Sequence, residues 1–239
     1  MRINPDACTG CELCLPYCPM GAISMAEGRA KIDRDECVEC GVCLRSAGCP
    51  ADAFVEEELS WPRSVRAVFS NPLFEHRETR IPGRGTEEVK TNDVTGRFRR
   101  GYAGVAVELG RPGTGARFRD VERVTRAMAA MGVKFEPNNP VTFLMVDQRR
   151  GRLNPELLDE KVLSAIVEFT VPLGRLPAVL TRLREVAREV ETVFSLNVIC
   201  KVEPDDSVPT VPLIEGLGIP LSINGKNCVG LGRPLFVES

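Results

Sequence analysis

From residue 104 onward the chain switches between two hydrophobic periods. Residues 104–109, Gly-Val-Ala-Val-Glu-Leu, alternate sides and predict a strand. Residues 116–131 carry Phe118, Val121, Val124, Met128 and Met131 at helical spacing. They predict an amphipathic helix that Gly132 ends. Residues 141–147, Val-Thr-Phe-Leu-Met-Val-Asp, predict a buried strand, and Asn154-Pro155 opens a short helix over 155–163. The order then recurs. Residues 165–171 predict a strand. Residues 175–190 predict a helix with Leu176, Val179, Leu180, Leu183, Val186 and Val190 on one face, and 194–202 predict a last strand. Two βαβ units in series predict an α+β fold, a split βαβ plait of four antiparallel strands with two helices on one face. The tail, 206–239, is rich in Pro and Gly. Its Val208-Pro209-Thr210-Val211-Pro212 run excludes a central strand, and 234–238 are expected to add an edge strand.

The first sixty residues show no such period; their pattern is in cysteine. Eight of the ten cysteines fall in two runs, Cys8-x2-Cys11-x2-Cys14-x3-Cys18-Pro19 and Cys37-x2-Cys40-x2-Cys43-x5-Cys49-Pro50. Three cysteines at successive spacings of three wrap a short loop around a compact centre, and each thiolate then faces a different metal of one cluster. Zinc sites use Cys-x2-Cys pairs, but not three such cysteines in succession, repeated. The runs form an internal repeat. Ile3-Asn4 before Cys8 matches Ile32-Asp33 before Cys37, and Ala22-Ile23 matches Ala53-Phe54, so two half-domains about a pseudo-twofold axis are expected.

On these spacings, the two Cys-Pro pairs and the flanking Ile and Ala residues, residues 1–58 resemble a bacterial-type two-cluster ferredoxin. The resemblance implies two [4Fe–4S] clusters with exchanged fourth ligands. Cys8, Cys11, Cys14 and Cys49 would hold one; Cys18, Cys37, Cys40 and Cys43 would hold the other. One departure stands out: five residues, 44–48, precede the last cysteine where the family usually has three. They are expected to bulge beside the cluster of Cys49 and to alter its exposure and hydrogen bonding. Residues 20–25 and 54–58 are expected to form a short helical turn or strand after each Cys-Pro. Iron–sulfur bonds then replace the core that about 55 residues cannot build alone. A purely structural role for the clusters is the alternative to electron transfer.

Charge divides the chain in the same place. Residues 1–60 hold eleven Asp or Glu against five Lys or Arg, whereas 80–120 hold nine basic against five acidic residues. The acidic unit suits a basic partner, or the basic segment of this same chain. The near-zero total charge excludes a general nucleic-acid binder. No apolar run approaches the roughly 20 residues of a membrane span. The first cysteine motif begins too early for a signal peptide, and the cysteines suit a reducing compartment, so a cytoplasmic protein is expected.

The densest polar stretch is 80–100, with Arg84, Thr86, Glu87, Lys90, Asn92 and Arg97 as candidate contacts for an anionic small molecule. Arg99 and Arg100 follow. A solvated or interdomain loop would read the same way. In the loop 110–117, Arg111 and Thr114 stand among glycines whose N–H groups would welcome an anion at a helix N-terminus. His76 reads as an exposed loop histidine, Cys200 as a core thiol and Cys228 as an ordinary loop thiol. No catalytic triad order, Walker loop or His-Glu-x-x-His motif is present. The strand and helix order of 100–205, with Gly-Arg after the first strand of each unit, is similar to ACT-type regulatory domains. That resemblance implies metabolite sensing. The expected division is thus a cluster domain at 1–58, a basic connecting segment at 59–103, a ferredoxin-like, ACT-like plait at 104–205 and a tail at 206–239. Three functions follow. The first is an electron-transfer protein or subunit that meets a redox partner protein through the plait, or forms a homodimer there. The second is an oxidoreductase holding an anionic substrate at 80–117 near a cluster. The third is a metabolite sensor that gates electron flow.

Overall fold

The computed structural model describes residues 1–81, 83–86, 96–111 and 113–222. The cysteine-rich unit contains β1 (Arg2–Ile3), β2 (Ile23–Ala26), β3 (Arg29–Ile32), the short α1 (Val42–Ser46) and β4 (Phe54–Val55). β1 pairs with β4 and β2 with β3, both antiparallel. The sequence repeat is repeated in the backbone. Asn4 N–H donates to the Ala53 carbonyl at 2.7 Å, and Asp33 N–H to the Ala22 carbonyl at 2.7 Å. Left-handed residues also recur in register: Gly10 with Glu39, Glu12 with Gly41, and Gly21 with Asp52. The turn therefore demands the left-handed conformation in both halves, and an acidic residue adopts it where its counterpart is glycine.

After Trp61-Pro62 the chain enters α2 (Ser64–Ser70), inside the stretch expected to be a connecting segment. One side of α2, with Val65 and Phe69, joins the core of the second unit, where Phe69 meets Phe118 edge-on at 5.3 Å. The second unit continues through β5 (Tyr102–Leu109), β6 (Ala116–Arg117), α3 (Phe118–Ala130), β7 (Lys134–Phe135), α4 (Pro140–Phe143), β8 (Met145–Asp147), β9 (Arg152–Leu153), β10 (Lys161–Val162), β11 (Ala165–Pro172), α5 (Leu176–Val186), β12 (Phe194–Cys200) and α6 (Thr210–Glu215). Four of these strands form an antiparallel sheet in the order β12-β5-β11-β7. α3 and α5 pack against each other over one face. Their buried stripes, Val121, Val124 and Met128 on α3 and Val179, Leu180 and Leu183 on α5, meet Val105, Val107 and Phe169 of the sheet. The fold is α+β.

Several expected elements differ. Residues 141–147 are not one buried strand. Asn139 caps α4 by accepting from Val141 N–H at 2.7 Å, with Pro140 in the first turn, so the chain turns helical. Among the described residues Met145–Asp147 then pairs only with β9, in a hairpin. The expected helix at 155–163 is a single 3-10 turn, Pro155–Leu157. Tertiary contacts take the rest: the Glu160 and Leu158 carbonyls accept from Phe118 and Arg119 N–H, completing the start of α3, and β10 pairs with β6. The helix expected to reach 190 ends at Val186. In the Pro-rich tail, α6 packs Ile214 on the core; the strand expected at 234–238 lies outside the described residues.

The second face of the sheet is also covered. Phe98 packs on Ala106 and Ile166, and residues 83–86 lie along β11. Buried Glu168 accepts from Thr86 N–H at 2.8 Å and from Asn139 at 2.5 Å, and buried Glu108 accepts from Asn197 at 2.5 Å. Gly85 is needed there, because a Cβ would stand 2.7 Å from Ile166.

His76 is not exposed: it retains 6% of its surface, and Thr79 lies 3.1 Å from its Nδ1. Burial lowers its pKa from the ordinary 6.5, against an opposing pull from Glu78. The unfolded chain thus binds the extra proton more readily than the folded one. This stabilising contribution is complete above pH 6.5 and falls away as pH drops through that value. We expect urea unfolding between pH 7.5 and 5.5, values spanning the histidine range, to show a stability loss that His76→Gln reduces. An unchanged slope in the variant would refute the assignment.

Candidate metal centres

The eight clustered cysteines line two separate cavities. One is bounded by Cys8, Cys11, Cys14 and Cys49, with Ile3, Ala30 and Phe54 as apolar walls. The other is bounded by Cys18, Cys37, Cys40 and Cys43, with Ala22, Ile23 and Ile32. Each set takes three cysteines from one run and the Cys-Pro cysteine from the other. Among the described residues no three His, Cys, Asp or Glu side chains converge closely enough to hold one metal ion. The sulfurs surround a space instead of a point, and an all-thiolate donor set around an apolar space fits an iron–sulfur cluster.

Electrostatics repeat the grouping. Burial is the largest cause pushing up the Cys14 thiol, and among the charges that add to it are Cys11, Cys8 and Cys49. Burial likewise pushes Cys43 up to about 11, helped by Cys40, Cys37 and Cys18. Without a cation, four thiolates so arranged would repel one another, so the sites suit positively charged iron. N–H groups already aim at sulfur. Ala22 donates to Cys18 Sγ at 3.2 Å, Ala53 to Cys49 Sγ at 3.4 Å and Ala30 to Cys8 Sγ at 3.4 Å. The Ala30 bond is the first cause of a lowered Cys8 pKa.

In the longer second run, α1 ends at Ser46, and Ala47 and the left-handed Gly48 lead into Cys49. Where the first half has the 3-10 turn Leu15–Tyr17, the second has α1, and Ala47 N–H reaches the Cys43 carbonyl at 3.1 Å. Arg45 of that helix donates to the Cys40 carbonyl at 2.8 Å and to Asn71 at 3.2 Å. α1 therefore also touches the loop of Cys37, Cys40 and Cys43.

That loop is also where the second unit docks. Arg66, 3% exposed, donates to the carbonyls of Asp35 at 2.7 Å and Cys37 at 2.9 Å, and pairs with Glu160. Arg63 holds buried Glu39 at 2.5 Å. Arg117 meets Asp35 at 2.7 Å and Glu36 at 3.0 Å, and Lys161 also reaches Glu36. The Arg117 hydrogen bond keeps Asp35 below the usual carboxylate range. The set of Cys37 and Cys40 is thus covered, whereas Cys11 is exposed and Leu13 beside it keeps half of its surface.

The remaining candidates separate. Arg84 and Arg111 line one cleft. Thr86 binds Glu168, and Arg97 pairs with buried Glu136, so both hold the fold. Arg100 holds Glu203 at 2.8 Å. The N–H groups of Thr114 and Gly115 both donate to the Gly110 carbonyl, so they do not converge on an anion as expected. Cys200, partly buried, lies 3.3 Å from Thr210 Oγ1. Glu87, Lys90, Asn92 and Cys228 lie outside the described residues. Sequence reasoning missed Ser70, Asn71, Leu163 and Ser164, which line the same cleft from separate segments and carry no motif.

Residues 1–24 match the family model described as a 4Fe-4S binding domain. Ferredoxin-2 of Chlorobaculum tepidum is 37% identical over 57 residues, which are 21% of this chain and 89% of that protein. The chain belongs to the 4Fe-4S ferredoxins. The Pyruvate synthase subunit PorD of Methanocaldococcus jannaschii is 38% identical to it over 55 residues, 23% of this chain and 62% of that protein. A component of the ion-translocating oxidoreductase complex of Methanosarcina acetivorans is 46% identical over 46 residues, 19% of this chain and 17% of that protein. The chain thus spans less than two thirds of the length of either of these two relatives. No solved structure matches. The ferredoxin unit is therefore a 4Fe-4S binding domain, and among the described residues no helix is long and apolar enough to cross a membrane.

Removing Arg66 would strand Glu160 and the Asp35 carbonyl and leave the Arg34 and Cys37 carbonyls to Arg63 alone. We expect Arg66→Leu to cost about 3 kcal/mol or more, read by urea unfolding, and to speed proteolysis between the units. Stability within about 0.5 kcal/mol of the parent would show that this arginine does not fasten the units.

Proposed function

We propose that this chain is an electron-transfer protein, or the electron-transfer subunit of a redox enzyme, carrying two [4Fe–4S] clusters. Cys8, Cys11, Cys14 and Cys49 hold one cluster, and Cys18, Cys37, Cys40 and Cys43 hold the other. The observation that carries the reading is the pair of four-cysteine cavities, each completed by a cysteine of the opposite repeat. A [4Fe–4S] cluster, once bound, takes up and releases one electron at a time. The chain supplies thiolates, apolar walls and N–H groups that stabilise negative charge on sulfur. Oxidoreductase-complex components among the relatives favour a redox protein partner. The exposed surface at Cys11 and Leu13, with Glu12 between them, offers that partner a small apolar patch next to a carboxylate. We read the second unit as a split βαβ plait that covers the other cluster; its support is the antiparallel order β12-β5-β11-β7 with α3 and α5 on one face.

Iron and sulfide analysis of anaerobically purified protein tests the count; eight of each per chain are expected from two cubes. Cys49→Ala should damage the cluster of Cys8, Cys11 and Cys14 and leave the spectrum of the other. Loss of the Cys37 cluster instead would overturn the ligand sets. Oxygen should bleach the cluster near exposed Cys11 first. Equal bleaching of both would refute the difference in cover.

A further inference from the structure

The ferredoxin domain is acidic as a whole, yet its cations are gathered, not scattered. Of the five Lys and Arg residues in 1–60, Arg45 is turned onto the Cys40 carbonyl. The other four, Arg2, Arg29, Lys31 and Arg34, line one open groove of about 540 Å³. Strand alternation puts two of them there. Ala30 and Ile32 of β3 are buried, and Arg29 and Lys31 between them face outward.

Carboxylates do not match these cations. Among the described residues that line the groove, Glu27 is the single carboxylate. Behind them Glu57 pairs with Arg2 at 2.6 Å and also with Arg34. Arg29 donates to the backbone carbonyls of Pro5 and, at 3.0 Å, of Cys8, so its hydrogen bonds bring no opposing charge. The exposed Lys31 side chain has no ion pair or hydrogen bond among the described residues.

The groove adjoins the cavity of Cys8, Cys11, Cys14 and Cys49. Ile3 and Ala30 line both spaces, and Ala30 N–H donates to Cys8 Sγ at 3.4 Å. Gly10 of the cysteine loop lies against the hairpin between β2 and β3: a Cβ there would stand 2.2 Å from the Gly28 carbonyl oxygen. The gathered cations therefore stand beside the cysteine set whose Cys11 is exposed. Exposed cations in an open groove hold a small anion weakly against water. Together they steer a protein face that carries many carboxylates.

We propose that an acidic protein docks in this groove and exchanges one electron with the cluster of Cys8, Cys11, Cys14 and Cys49. The partner's carboxylates lie over Arg29 and Lys31. One electron leaves the reduced cluster and enters the partner's one-electron centre, and no atom is transferred. This rests on the proposed function and adds the charge of the partner. The acidic composition of residues 1–60 favours a basic partner; the groove reverses that preference beside this cluster.

Stopped-flow oxidation of the anaerobic, dithionite-reduced full-length protein tests the docking. Cytochrome c is the basic one-electron acceptor, and cytochrome c with its lysines succinylated is the acidic one with the same haem. We expect the rate with the succinylated form to fall about tenfold as salt rises from about 10 to about 300 mM. Lys31→Glu should slow that reaction about fivefold at low salt and leave it unchanged at high salt. Lys31 is the decisive variant, because Arg29 also holds the Cys8 carbonyl. A rate with the succinylated form that rises with salt, or that Lys31→Glu leaves unmoved, overturns the docking; reduction of native cytochrome c in the same preparation leaves electron transfer standing. Reduction of neither form refutes the proposed function. Calorimetric binding of one pyrophosphate per chain, lost in Lys31→Glu, would make the groove a small-anion site and overturn the protein partner.

Discussion

Arg66 is the contact on which the arrangement of the two units depends. It leaves α2 on the flank next to Val65 and Phe69, crosses the boundary nearly dry and donates to backbone carbonyls of the 34–37 loop. Buried carbonyls in a loop have no ladder partner, so a rigid multi-donor cation satisfies several at once. Glu160 balances its charge from the second unit. Arg63, Arg117 and Lys161 extend the contact over Glu39, Asp35 and Glu36. The acidic excess of the ferredoxin domain is thereby neutralised partly inside the molecule.

This docking makes two near-identical halves unequal. The repeat gives both halves left-handed residues in register and an equivalent N–H to sulfur bond after each Cys-Pro. Among the described residues the second unit covers the loop of Cys37 and Cys40 together with Pro19 and Met20, and α1 adds Arg45 to the same side. Cover and hydrogen bonding are the levers by which a protein sets a cluster's potential. Two clusters in such halves would differ for reasons that lie outside their ligands.

The sheet shows how polar residues are kept inside an apolar unit. Glu108 and Glu168 stand at equivalent places of β5 and β11, on the face away from α3 and α5. Each is satisfied by groups from distant segments, Arg84 and Asn197 for one, Thr86 and Asn139 for the other. An unpaired buried carboxylate is costly, so these contacts fix residues 83–86 on the sheet. The cleft beside Pro19 is a product of that placement.

Local chemistry was readable in the chain. Cys-x2-Cys spacing, the Cys-Pro pairs and the offset repeat define the cysteine loops, because a thiolate reaches only what its own turn allows. The buried stripes of α3 and α5 were legible because period and burial coincide; β5 and β11 were legible as strands although both of their faces are buried. Residues 141–147 misled because an apolar run fits a strand or a buried helix equally, and Asn139 and Pro140 decided it. Residues 155–163 misled because α3 and β6 took their backbone groups. His76 has no sequence mark of burial. Arg84 and Arg111 were legible as cations, but not their sharing of Glu108. The sequence by itself determined which atoms can hold iron and which faces must be buried. Tertiary structure alone decided which cysteine loop is covered and where the arginines meet, because both depend on contacts between residues far apart in the chain.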